Sequence, residues 1–154
     1  MKNTIEVFER VKQFIQDHIN EYLDENNPYA VKVPKLTKDN FAIDFPDIDK
    51  MPQQNMIYIV PDYMNLSPQT TCTTLMDNNI KIYVMCKRDA HDNLIKRAST
   101  YFNAICQVCI RNTTLGGAVN LCELGSADYY PSVSAVNTIS AFEVNLNLKY
   151  IFQV

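Results

Sequence analysis

The chain has little that would make it loose, exported or reactive. It contains only three glycines in 154 residues, which argues against long flexible tracts. No long apolar run opens it. In MKNTIEVFERVKQFIQDHINEY, Glu6, Glu9 and Arg10 break every apolar stretch, so this segment reads as neither a signal peptide nor a membrane span, and the expectation is a protein made and kept inside a cell. A basic excess is missing as well. With 14 Lys and Arg against 17 Asp and Glu, the net charge is -3, and nothing advertises nucleic acid or an anionic membrane. The cysteines Cys72, Cys86, Cys106, Cys109 and Cys122 are odd in number, which predicts reduced thiols rather than a disulfide framework.

What is present is a pattern. Phe142, Val144, Leu146, Leu148, Tyr150 and Phe152 alternate with Glu143, Asn145, Asn147 and Lys149. That period of two predicts one long strand with a face on a core and a face toward water or a neighbour, and favours an antiparallel sheet. At the other end, Asn3 and Glu6 have capping-box spacing, and Ile5, Phe8, Val11, Ile15, Ile19 and Tyr22 recur at helical spacing. They predict an amphipathic helix that stops near Asn26-Asn27-Pro28.

From Pro28 to Pro52 the chain carries four prolines and clustered charge, read as an ordered excursion in which Phe41, Ile43 and Phe45 alternate as a short strand. Met56 to Val60 reads as a strand ended by Pro61. Thr70 to Met76 and Ile80 to Cys86 read as a hairpin turning at Asp77-Asn78-Asn79. Asp89 is placed as the cap of a second helix running to about Arg111, with Leu94, Ala98, Tyr101, Phe102, Ile105 and Cys109 on its buried face. Asn112 is expected to stop that helix in left-handed geometry, before a Thr114-Leu115-Gly116-Gly117 turn and a strand from Ala118 to Leu124. Gly125 to Asn137 reads as irregular. The sum is a single α+β domain over residues 1–154, with a mostly antiparallel sheet, a long helix packed across one face and an N-terminal amphipathic helix.

Few residues invite chemistry. Cys106-Gln-Val-Cys109 is a C-x-x-C, the basis for an alternative reading as a cytosolic thiol or metal enzyme. It falls in the last turns of the predicted helix, whereas reactive thiols of this kind sit at a helix N-terminus, where the dipole stabilises a thiolate. Burial of both thiols, without modification or metal, is therefore expected. His18 and His91 have no neighbouring nucleophile motif. The two glycines after Leu115 neither follow a strand nor open a helix, so they lack the setting of a phosphate loop. Lys87-Arg88 is a small basic pair offset by Asp89 and Asp92. No cofactor and no catalytic residue are expected.

Four stretches carry a resemblance: Tyr101-Phe102-Asn103-Ala104-Ile105, then Asn112 through Val119, then Asp128-Tyr129-Tyr130-Pro131, and finally Glu143-Val144-Asn145-Leu146. Over roughly residues 80 to 152, in this order of helix, turn, strand and loop, the chain resembles the tail terminators of long-tailed bacteriophages and prophages, also called tail-completion or tail-to-head joining proteins. The resemblance implies a structural virion protein, assembled in the host cytoplasm and located in the neck region of the tail. It would form a homo-oligomeric ring, a hexamer, on the last ring of the tail tube protein, end tube growth and offer a surface to a head-completion or neck protein. Genome DNA would pass through the channel without specific binding, and no membrane would be involved. The alternative is another neck component, a head-completion or stopper protein, which shares size and ring symmetry but binds the portal side. The loops Lys87 to Asp92 and Gly125 to Val133 are the candidate contacts, with Lys87, Arg88, Asp89, Asp92, Asp128, Tyr129 and Tyr130 as the interface residues to test.

Overall fold

The computed structural model describes residues 3–89, 93–131 and 138–153. Among these residues, two α-helices and one five-stranded sheet make an α+β fold: α1 (Thr4–His18), β1 (Phe41–Ala42), β2 (Asn55–Pro68), β3 (Thr73–Lys87), α2 (Leu94–Arg111), β4 (Leu121–Tyr130) and β5 (Ile139–Gln153). The strand order is β1-β2-β3-β5-β4. Only β1 pairs in parallel, with β2; the other pairs are antiparallel. No helix among the described residues is long and apolar enough to cross a membrane.

The opening helix begins as its sequence predicts. The Asn3 side chain accepts from the Glu6 backbone N–H at 2.8 Å, satisfying one of the amides that a helix start leaves unpaired. The buried stripe is Val7, Phe8, Val11 and Ile15, while Ile5 lies outside it at 58% exposed. A short tighter turn, Ile19–Tyr22, continues the helix.

One core gathers the apolar residues of both helices with one face of the sheet, including Ile57, Ile59, Ile80, Ile82, Val84, Val144, Leu146, Leu148 and Tyr150. The excursion after Pro28 is fastened to this body from several sides. Asn20 exchanges two hydrogen bonds with the Leu36 backbone, both 2.9 Å; Tyr101 donates to the Pro34 carbonyl; and Asn93 donates to the Lys32 carbonyl at 2.8 Å. Farther along, the excursion folds over the opposite face. There Met51, Met56, Tyr58, Val60, Met85, Ile139 and Ala141 form a second, smaller core, with Ala42 and Ile48 packed against it. Both faces of β5 are therefore covered where it begins, and only from Asn145 onward is it the one-sided strand its alternation predicts.

Several expectations change. The supposed hairpin at Asp77-Asn78-Asn79 is the middle of β3, a single strand of 15 residues. Its Asn78, fully buried in the core, donates to the Tyr150 hydroxyl at 3.3 Å, so a residue type that usually marks a turn is satisfied inside a sheet. The hairpin turn lies instead at Gln69–Cys72, between β2 and β3. Pro61 does not end β2, which runs on to Pro68 through a bulge between Pro61 and Met64. Beyond Tyr58 the outer side of β2 has no paired neighbour among the described residues, and a sheet edge is where proline is tolerated. The short strand is only Phe41–Ala42, and Phe45 is 75% exposed.

At α2 the N-cap position is Asn93, not Asp89. Asp89 pairs with the buried guanidinium of Arg97 instead. Asn112 ends α2 at φ -135°, not in the left-handed region; in the turn that follows, Leu115, Gly116 and Gly117 take positive φ. A Cβ on Gly116 would lie 2.8 Å from the Phe14 ring, so the turn needs glycine both for its backbone and to seat α1. Finally, residues 125–130 of the expected irregular loop belong to β4, which continues past a bulge between Leu124 and Ala127.

Candidate functional site

The residues expected to form an interface come to one end of the sheet, where β3 leaves, β5 enters and β4 finishes. Lys87 is in register with Ile139, the Arg88 amide donates to the Thr138 carbonyl at 2.9 Å, and Tyr130 is in register with Ala141. With β5 between them, the two groups lie two strand spacings apart, about 10 Å. Asp92, His91 and Val133 lie outside the described residues.

Most of these side chains already have work inside the fold. Lys87 reaches the Met51 carbonyl at 3.5 Å and so holds the excursion. Arg97, 1% exposed, bonds both the Asp89 carboxylate and the Lys87 carbonyl, tying the segment after β3 to the first turn of α2. Tyr129 packs on Phe142 with ring centroids 4.5 Å apart, and Phe142 stacks on Phe102 at 4.7 Å. Arg88 and Asp128 are exposed.

Tyr130 leads to a larger arrangement that the sequence reading missed. On the face away from the helices, β3 and β5 bond side chain to side chain in three successive diagonal rows. In the first, Asn147 donates to Asp77 at 2.6 Å. In the second, Asn79 donates to Asp62 at 3.2 Å and to Asn145 at 3.1 Å, while Asn145 donates to the Ser126 carbonyl at 3.2 Å. That row crosses four strands and joins the bulge of β2 to the bulge of β4. In the third, Lys81 lies 3.0 Å from Glu143, which also accepts from Tyr83 at 3.0 Å and from Tyr130 at 2.9 Å. Each β3 residue reaches past its register partner to the β5 residue two positions earlier, the diagonal neighbour within range of long side chains.

The middle row floors a shallow cleft of about 340 Å³, lined by Asp62, Tyr63, Asn79, Lys81, Gly125, Ser126 and Asn145. Neither a family model nor a curated protein matches the chain.

Burial pushes Glu143 up, but hydrogen bonds from Lys81, Tyr130 and Tyr83 outweigh it and hold the carboxyl below its ordinary value. Bonding to that carboxylate raises Lys81, and it raises Tyr130 as well. Tyr83 is raised first by burial and then by the same bond. Each shift favours the state these groups already hold at neutral pH, so the row is a fixed ion pair with two phenols rather than a proton relay. The thiols are similarly placed for packing. Burial pushes Cys106 up to about 11, and it is half-buried rather than fully buried as expected. Cys109 is buried and raised, first by its hydrogen bond with Cys122. Among the described residues, no group of three or more His, Cys, Asp or Glu side chains is placed to hold a metal ion. His18 sits at the end of α1 against Phe14 and 3.2 Å from Glu21.

Proposed function

We propose that this protein is a ring-forming structural component of a phage tail, a terminator that caps the tube and presents a surface to the head, and that it performs no catalysis. The observation that carries this reading is the face with the three polar rows. It is broad, paired within itself and not basic: Asp62, Asp77, Glu123, Asp128 and Glu143 stand against Lys81, Lys87 and Lys149 on that side of the sheet. Such a surface suits a channel wall. DNA is held by lysine and arginine contacts to phosphate, so a wall of amides with a small acidic excess lets it pass. In this reading α2 lies across the opposite face and serves as the outer support.

Closure into a ring requires contacts between unlike surfaces of successive copies. The segments at the two sides of the sheet differ in this way. On β2, Tyr63, Met64 and Leu66 are exposed, whereas β4 offers Asp128, Tyr129 and Tyr130. The test is imaging of the protein mixed with tail tubes assembled from the tube protein of the same genome. Capped tubes ending in a sixfold ring are expected; a dimer or an open helix at the tube end would defeat the assignment. An isolated subunit can remain monomeric at low concentration, so the tail-bound state decides.

A further inference from the structure

We propose that Phe45 of one copy seats in a cleft on the outer side of α2 of the next copy, where Asp44 beside it pairs with Lys96; the contact deepens the ring reading above and rests on it for closure. The knob is Asp44-Phe45-Pro46-Asp47-Ile48-Asp49, one aromatic ring among three carboxylates. Phe45 is 75% exposed, so its ring fills nothing in its own copy. The knob is nonetheless stiff. Proline fixes its own φ and holds the residue before it extended. The Asp44 carboxylate accepts from the Phe45 amide at 2.8 Å, and that of Asp47 accepts from the Asp49 amide at 3.1 Å. On either side of the ring, Ala42, Ile48 and Met51 root the segment in the smaller core.

The cleft has the complementary character. It measures about 420 Å³, with Pro28, Tyr29 and Ile95 as apolar walls and Lys96, Ser99 and Asn103 along the helix. Tyr29 and Ile95 are exposed, and the Lys96 ammonium lies 4.6 Å from the centre of the Tyr29 ring, so a positive charge stands at an aromatic wall. Arg88 lines the adjoining hollow. The loop wall is held in place: Asn27 exchanges hydrogen bonds of 2.7 and 3.2 Å with the Val31 backbone, and Asn26 donates to the Tyr22 carbonyl at 2.9 Å. A stiff knob entering a preformed cleft loses little freedom, and the opposite charges fix its orientation. The knob is rooted in the smaller core, whereas α2 belongs to the larger core on the other face of the sheet. The two surfaces are therefore unlike, and copies joined through them run head to tail, as ring closure requires. An aromatic side chain buries about 150 to 250 Å², well short of the roughly 1,200 Å² of a stable pair. A single such contact is weak, and dilute protein stays monomeric.

Light scattering from the full chain, taken up to about 1 mM, detects contacts with a millimolar Kd. The wild type should gain mass with concentration, and less so at high salt. Phe45→Ala should weaken this association about tenfold. Asp44→Lys and Lys96→Asp should each weaken it alone, and an equimolar mixture of the two should regain it, because every knob then meets a cleft of opposite charge. All three positions are exposed, and circular dichroism checks that each variant is folded. A wild type still monomeric at about 1 mM would overturn the contact. So would Phe45→Ala protein that associates like the wild type, which would place the contact elsewhere, or a charge-swapped mixture no better than its parts. Imaging at the tube end separates this contact from the ring itself. Association lost in the variants, with no sixfold ring on tubes, would keep the contact and defeat the ring; a sixfold ring formed equally well by Phe45→Ala protein would do the reverse.

Discussion

The two faces of this sheet are built on different rules, and neighbouring residues of β5 show it. Leu146 points into the shared core and is fully buried. Asn145 points the other way and is held by an amide above and a serine beside it. The helix-side face is specified by volume and spacing, which many apolar side chains can satisfy. The opposite face is specified by partners: each donor needs its acceptor at one register, and a slip of one residue would break all three rows while turning Leu146 outward.

The strongest way to break the comparison is to substitute both neighbours. Leu146→Ala should cost about 2 to 5 kcal/mol through lost burial and a residual cavity, whereas Asn145→Ala should cost about 1 kcal/mol. Equal shifts of the urea midpoint would mean that the faces do not differ as described. A second variant crosses the rules, because Asn78 is a partner-specified residue inside the volume-specified face. Tyr150→Phe keeps the ring and removes the hydroxyl that Asn78 bonds, so it should cost about 1 to 3 kcal/mol; a neutral result would show that the buried amide finds another acceptor.

Glu143→Gln tests the partner-specified face by pH. Glu143 is held below its ordinary value, so as pH falls the unfolded chain takes up its proton first. Its contribution is full above the ordinary glutamate value and is lost as pH falls through the lower, folded value. The variant should be less stable at pH 7 by about 1 kcal/mol and should show a shallower loss of stability on acidification below about pH 5. Parallel acid profiles for the two proteins would remove Glu143 from the account. The smallest effect is expected at Arg88→Ala, an exposed position, within about 0.5 kcal/mol.

This difference also explains what could be read in advance. The period-two run of β5, the helical stripe from Phe8 to Ile15 and the cap at Asn3 declare themselves through spacing, so the helices and the final strand were legible. Asn78, Asn79 and Gly125 were not, because their types signal turns when seen alone. Here the Tyr150 hydroxyl, the Asp62 carboxylate and a bulge accommodate them inside strands, and those partners are remote in sequence. The interface residues were half legible. Their gathering at one sheet end follows from chain order, but the use of Asp89 by Arg97 and of Tyr130 by Glu143 depends on three-dimensional neighbours that no local pattern names.

The placement of β5 bears on how the molecule is made. It separates β3 from β4 in the sheet yet follows both in the chain, and one of its contacts joins residues 72 positions apart. Until β5 has left the ribosome, β3 has one open side and β4 lacks the only strand it pairs with among the described residues. Pairing across such separations is slow to close, and unpaired edges in the waiting chain invite aggregation. A chain broken off before β5 would therefore lack the middle of its sheet rather than a margin, making synthesis all-or-none and leaving truncated products for proteases to clear.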